Sequence, residues 1–181
     1  MSKLLLHICC GVCAGPIVQK YKDSGFEVTG YFYNPNIHPH QEFLKRLEAV
    51  ESLSRQENLP IYYERAYGLD EFIKAVEPHA QSHNKKRCAQ CYELRLKRTA
   101  QYARQNGFEL FATTLSISPF QDQSLIKEIG QKEAISAGIG FNYELMTSLY
   151  QESKKLAKDH NLYRQQYCGC IFSEYERYAK K

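Results

Sequence analysis

Tryptophan is missing from the 181-residue chain, as are low-complexity tracts, internal repeats and any Gly/Ser-rich linker. With no break in composition, residues 1–181 are expected to form a single domain, and 43% hydrophobic residues suffice for its core. Long apolar runs are missing too. The run within residues 1–8 is short and has no cleavage-site pattern behind it, so neither a signal peptide nor a membrane span is expected and the chain reads as cytoplasmic. Glycine-rich phosphate loops are also lacking. Neither G-x-G-x-x-G nor G-x-x-x-x-G-K-S/T follows a strand, and the turn Gly11-Val12-Cys13-Ala14-Gly15-Pro16 has the wrong spacing and carries thiols, so no NAD or ATP site is expected.

Cysteine, by contrast, is plentiful and clustered: Cys9-Cys10 with Cys13, Cys88-x-x-Cys91, and Cys168-x-Cys170. In a reducing cytosol an odd count of seven is a poor disulfide framework. Scattered core cysteines would not cluster, and Cys88-Ala89-Gln90-Cys91 follows a basic run and not the strand of a thioredoxin-like redox pair. A metal site is the better reading. Four ligands complete a structural zinc site, and more than four are present. Side chains of the adjacent Cys9 and Cys10 diverge, which suits a 4Fe–4S cluster, or a cluster beside a further ion, better than one ion; zinc stays open as the alternative.

The net charge of +4 is unevenly placed. Residues 85–104 carry Lys85, Lys86, Arg87, Arg95, Lys97, Arg98 and Arg104 against Glu93 alone, a local charge of +6. Such a helix is often only a solvated face. Beside clustered thiols and with fourteen tyrosines in the chain, it also fits a rim where cations hold phosphates and rings stack on unpaired bases. Core packing accounts equally well for many of those tyrosines.

Hydrophobic pattern gives an alternating series. Strands are expected at residues 4–8, 26–33, 61–64 and 108–114. Helices are expected after Gly11, with Pro16 in the first turn and Gly25 past the end, and at residues 41–58, 69–76, 88–106, 122–137 and 152–160. Residues 162–170 read as a loop before a short terminal helix. Alternation of this kind predicts an α/β three-layer sandwich with a mostly parallel sheet, whose sites collect at the carboxyl ends of strands where strand order switches. Cys9-Cys10 and Thr113-Thr114 would both stand there. The Ser116-Ile117-Ser118-Pro119 turn could offer N–H groups to a phosphate, or be an ordinary strand-to-helix loop.

Four motifs together resemble the QueH family of epoxyqueuosine reductases: His7-Ile8-Cys9-Cys10-Gly11-Val12-Cys13, Lys86-Arg87-Cys88-Ala89-Gln90-Cys91 with Arg95-Leu96, Thr113-Thr114-Leu115-Ser116-Ile117-Ser118-Pro119, and Leu162-Tyr163-Arg164-Gln165-Gln166-Tyr167-Cys168-Gly169-Cys170. The resemblance implies a Rossmann-like fold similar to the adenine nucleotide alpha-hydrolase-like (HUP) folds. It also implies removal of the epoxide oxygen of epoxyqueuosine at the tRNA wobble position, without cobalamin, by a 4Fe–4S cluster and an adjacent metal, expected to be iron, fed by an external electron donor. An iron-sulfur tRNA thiolase or a non-catalytic zinc protein that binds RNA are the alternatives. On this reading Cys10, Cys88, Cys91 and Cys168 hold the cluster, with the Cys-x-x-Cys pair at a helix start, and Cys9 and Cys170 face the second metal. Either adjacent pair could exchange roles. Cys13 is either a further contact or a buried spectator. Tyr163 and Tyr167 are candidate proton donors, with His7 a third candidate that more often is a satisfied core histidine. Arg87, Arg95, Arg164, Gln165, Ser116 and Ser118 are candidate substrate contacts.

Overall fold

The computed structural model describes residues 1–80 and 84–179. In chain order the main elements are β1 (Lys3–His7), α1 (Gly11–Asp23), β2 (Glu27–Phe32), α2 (His40–Glu57), β3 (Ile61–Tyr63), α3 (Leu69–Val76), α4 (Asn84–Gln105), β4 (Leu110–Thr113), α5 (Gln123–Ala137), β5 (Gly140–Phe141), α6 (Tyr150–Asp159) and α7 (Ile171–Tyr178).

All five strands pair in parallel in the order β3-β2-β1-β4-β5. A central parallel strand is covered on both faces, so it must be apolar at every position rather than at alternate ones. β1 obeys this. Leu4, Leu6 and Ile8 enter the core beneath α1, α2 and α6, whereas Leu5 joins Tyr31 and Phe111 in the core beneath α4 and α5. The result is the expected three-layer α/β arrangement. Among the described residues no helix is long and apolar enough to cross a membrane.

Several boundaries differ from expectation for identifiable reasons. α1 begins at Gly11, directly after its N-cap Cys10, so Pro16 lies inside the helix and not in its first turn. A Cβ on Gly11 would stand 2.6 Å from the Ala49 carbonyl oxygen, so glycine lets α1 start this close to α2. α4 begins before Cys88, which puts Cys88 and Cys91 a full turn or more inside the helix rather than at its start. The exposed Lys85 and Lys86 carry no apolar pattern that would reveal that first turn. β5, only two residues long, was not expected; it extends the sheet through the register Leu110↔Gly140 and Phe111↔Phe141. α3 falls on the expected residues, and Gly25, Gly107 and Gly138 take positive φ after helices as helix stops do.

Candidate active site

Strand order reverses between β1 and β4, where His7 pairs in register with Thr113. The chain leaves these two strands in opposite directions and opens a crevice at their carboxyl ends. Cys9 sits in it. Its N–H donates to Thr114 Oγ1 at 3.3 Å and its Sγ lies 3.4 Å from the same hydroxyl. The Cys10 thiol is buried 4.0 Å from that of Cys9, touches Cys13 in the first turn of α1, and accepts a hydrogen bond from Gln165 Nε2 at 3.1 Å. These three thiols form one group. Contact with Cys10, then burial, pushes the Cys9 thiol up, and contact with Cys13 together with burial pushes Cys10 up to about 12.

The other four thiols form a second group. Cys88 and Cys91 on α4 face Cys168 and Cys170 across a cavity of about 230 Å³, walled by Phe72, Tyr92, Arg95 and Phe172. Burial and then the neighbouring thiols push Cys88 up to about 11 and Cys170 upward; burial pushes Cys91 up to about 12 although Arg95 pulls it down. Cys88, Cys91 and Cys170, crowded and desolvated, are poor thiolates on their own and become good ones when a cationic centre sits among them. Among the described residues no three His, Cys, Asp or Glu side chains converge closely enough to bind a single ion. Thiols spread round a cavity wall suit a multi-iron cluster, which is gripped at its separate corners, better than one ion.

A larger cavity of about 350 Å³ has Cys9, Cys13 and Thr114 in its wall together with Gln165 and Tyr167. The two cavities share Arg95, Phe120, Gln121 and Cys168. Gln121 bridges them: it accepts from Tyr92 Oη at 2.6 Å and donates to Cys168 Sγ at 3.4 Å. Arg95 is 1% exposed, donates from Nε to the Cys91 carbonyl at 3.2 Å, and has an Nη2 with no protein partner among the described residues.

The Cys168-Gly169-Cys170 loop is anchored by a buried ion pair. Arg46 Nε donates to Glu42 Oε1 at 2.7 Å, Nη1 to the Cys168 carbonyl at 3.0 Å and Nη2 to the Tyr167 carbonyl at 3.0 Å. Glu42 also accepts from the Tyr163 hydroxyl. Gly169 takes φ +130°, and a Cβ there would stand 3.1 Å from Arg46 Nη1. Its carbonyl accepts from the His38 N–H at 2.7 Å. Cys170 then caps α7, its Sγ accepting from the Ser173 N–H at 3.4 Å.

Cys88, Cys91, Cys168 and Cys170 thus share one cavity, while Cys10 stands with Cys9 and Cys13, outside that cavity; adjacent residues diverge, and Cys10 turns under α1. Arg95, Gln165, Ser118 and Tyr167 line the larger cavity and Arg87 the smaller, where Arg87 pairs with Glu176 at 3.5 Å and covers the Phe172 ring at 4.4 Å. Ser116, Arg164 and Tyr163 line neither. Ser116 is buried and donates to the Thr113 carbonyl, Arg164 is exposed, and Tyr163 is bound to Glu42. The Tyr167 hydroxyl donates to the His38 carbonyl at 2.6 Å. His7 is a satisfied core histidine: Nδ1 pairs with Thr113 Oγ1 at 2.9 Å, Nε2 with the Tyr33 carbonyl at 3.2 Å, and burial lowers its pKa to about 3. Sequence reasoning passed over Arg46, Glu42, Phe120, Gln121 and Tyr150. The i, i+4 spacing of Glu42 and Arg46 flanking the apolar Phe43 and Leu47 was the one available signal for the first two.

The class of protein is set first by the fold. A solved structure described as a predicted subunit of a tRNA methyltransferase from Methanocaldococcus jannaschii superposes with a TM-score of 0.59 at 12% identity, covering 87% of this chain and 75% of that one. This is a Rossmann-like α/β protein with seven free thiols gathered around its switch point. The particular family follows from sequence comparison: residues 4–176 match the model of epoxyqueuosine reductase QueH, and the chain belongs to that family. Similar proteins named epoxyqueuosine reductase QueH come from Dehalococcoides mccartyi (39% identity, 98% of this chain and 96% of the relative), Thermotoga maritima (37%, 99% and 94%) and Haemophilus influenzae (33%, 95% and 71%).

Proposed function

We propose that this chain reduces epoxyqueuosine at the wobble position of tRNA to queuosine, taking two electrons and two protons and releasing the epoxide oxygen as water. The observation that carries the reading is the meeting of a cavity lined by four thiols with a larger one through a shared wall of Cys168, Arg95 and Gln121. Cys88, Cys91, Cys168 and Cys170 would hold a 4Fe–4S cluster, and Cys9, Cys10 and Cys13 would contribute thiolates to a second metal ion, taken to be iron, on the substrate side, turning toward it on binding because as they stand no three of the described side chains converge on one ion. This division follows the grouping of the thiols and replaces the sequence-based one, in which Cys10 went with the cluster and Cys170 with the second metal. When bound, such a centre supplies single electrons from an external donor and a Lewis acid for the C–O bond.

The protein's own residues would set the geometry. Gln165, Gln121 and Thr114 orient the thiols of Cys10, Cys168 and Cys9. Arg95 brings a fixed positive charge to the cavity boundary, where its free Nη2 would donate to the oxygen as negative charge develops there. Both tyrosine hydroxyls considered as proton donors are engaged, Tyr163 with Glu42 and Tyr167 with His38, and His7 is held neutral. The protons therefore come from water entering the larger cavity. The substrate is a tRNA, admitted at the exposed rim that carries Arg177 and Phe120.

The test is anaerobic: iron and sulfide are counted, and queuosine is sought by nucleoside mass spectrometry after incubation with reductant and epoxyqueuosine-containing tRNA. The expected protein is brown, with about five iron and about four sulfide per chain. Cys88→Ser should lose sulfide, whereas Cys10→Ser should keep sulfide and lose the additional iron. Full sulfide in Cys88→Ser refutes the division of thiols; a colourless zinc protein without turnover refutes the enzyme.

A further inference from the structure

Phe120 is 81% exposed, yet it lines both cavities at their common mouth. A large ring held in water forgoes burial, and a mobile loop would let it fold back. This loop is tied on both sides of the ring. Gln123 Nε2 donates to the carbonyls of Leu115 at 3.0 Å and Ser118 at 2.7 Å, and the Phe120 N–H donates to Ser118 Oγ at 3.3 Å. Gln121 accepts from Tyr92 at 2.6 Å, and the Asp122 N–H donates to the same hydroxyl at 3.4 Å. The ring is therefore presented, not stray. Its aromatic neighbour is Tyr150, met edge to face at 5.9 Å, and Lys154 Nζ lies 4.4 Å from the centre of the Tyr150 ring. Exposed Arg177 completes the rim.

An exposed, fixed ring beside a second ring and two cations has the composition of a single-strand RNA platform, where bases stack on the rings and cations follow the phosphates. We propose that Phe120 is the positioning residue on which an unpaired base of the anticodon loop stacks at the cavity mouth, with Tyr150 flanking it and Lys154 and Arg177 serving the backbone. The proposal rests on the tRNA reading above and adds to it the surface that holds the nucleoside over Cys9, Cys13 and Cys168.

Because the chain has no tryptophan, Phe120→Trp installs a single indole emitter at the platform. With the metal-loaded full-length protein, an anticodon stem–loop RNA should quench the indole emission of that variant, and a fully paired duplex of equal charge should not. In filter binding, Phe120→Ala should weaken stem–loop affinity by about 5- to 150-fold with unchanged iron content, since one base stacked on a ring contributes about that factor. Phe120→Leu, apolar but not planar, should weaken it too. Binding of the stem–loop with no change in the indole emission overturns the platform, as does full affinity in Phe120→Leu. A sedimentation coefficient that drops in Phe120→Ala would make the ring a contact between copies of the chain and also overturn it. Failure of the wild-type protein to bind the stem–loop sinks the tRNA reading and the platform together, so the two failures are distinguishable.

Discussion

Replacing Arg46 by methionine removes the guanidinium that ties α2 to the Cys168 loop. The arginine is 1% exposed and its partner Glu42 7%, so both charges are out of water. Their pairing and the two carbonyl contacts at 3.0 Å use all three guanidinium nitrogens. Removing one partner of a buried pair costs about 3–5 kcal/mol, because the remaining charge is left without compensation. Against a total stability of about 5–15 kcal/mol, this is about a fifth or more of what holds a typical domain folded. Arg46→Met is therefore expected to shift urea unfolding, followed by circular dichroism, by about 3–5 kcal/mol. In Glu42→Met/Arg46→Met the ionic part cancels, and the double variant should be more stable than Arg46→Met alone. It should stay below wild type, because the Tyr167 and Cys168 carbonyls remain unpaired at about 1–3 kcal/mol each. Arg46→Met within about 1 kcal/mol of wild type, or a double variant whose loss equals the sum of the singles, would refute the argument.

Two further outcomes follow from packing and ionisation. Gly11→Ala drives a methyl group against the Ala49 carbonyl, whose backbone atoms have no rotamer to escape into, so α1 and α2 must separate; the urea midpoint should fall by about 1–3 kcal/mol equivalent. His38 Nε2 is buried without a partner among the described residues, Nδ1 meets the Tyr67 hydroxyl at 2.9 Å, and burial lowers its pKa from 6.5 to about 4. The unfolded chain then binds the proton first: the His38 contribution is complete above about pH 6.5 and is lost as pH falls toward 4. Unfolding titrations across that window should show a steeper loss in wild type than in His38→Gln, and identical slopes would contradict the assignment.

The layers were legible because burial dictates pattern: a strand covered on both faces must read Leu4-Leu5-Leu6, and a helix over a sheet must repeat Phe43, Leu47, Val50. β5 was not, since two residues carry no period. Clustering announced the thiols, but spacing along the chain does not say toward which side Cys9 and Cys10 each turn; that depends on Thr114 and Gln165, far away in sequence. Arg46 and Glu42 show in sequence only an i, i+4 spacing next to the apolar Phe43 and Leu47, which does not say what lies above them. Only the fold puts them under the Cys168 loop. Tyr163 and Arg164 lie near Cys168 in sequence and Ser116 follows Thr113-Thr114, yet local hydrogen bonding or exposure turns all three from the cavities.

The smaller cavity also has an order of construction. Cys88 and Cys91 are placed by α4, but the opposite wall, Cys168 and Cys170, follows every strand and all but the last helix in the sequence. During synthesis the sheet can be complete while half the thiol ring is still missing. Until residues 168–170 exist, Cys88 and Cys91 lack their opposite wall, and the contacts that hold that wall in place are the ones Arg46 makes to its carbonyls. A chain that stops before residue 168 carries every strand of the sheet and five of the seven thiols, but neither the Cys168 and Cys170 wall nor the carbonyls that Arg46 clasps.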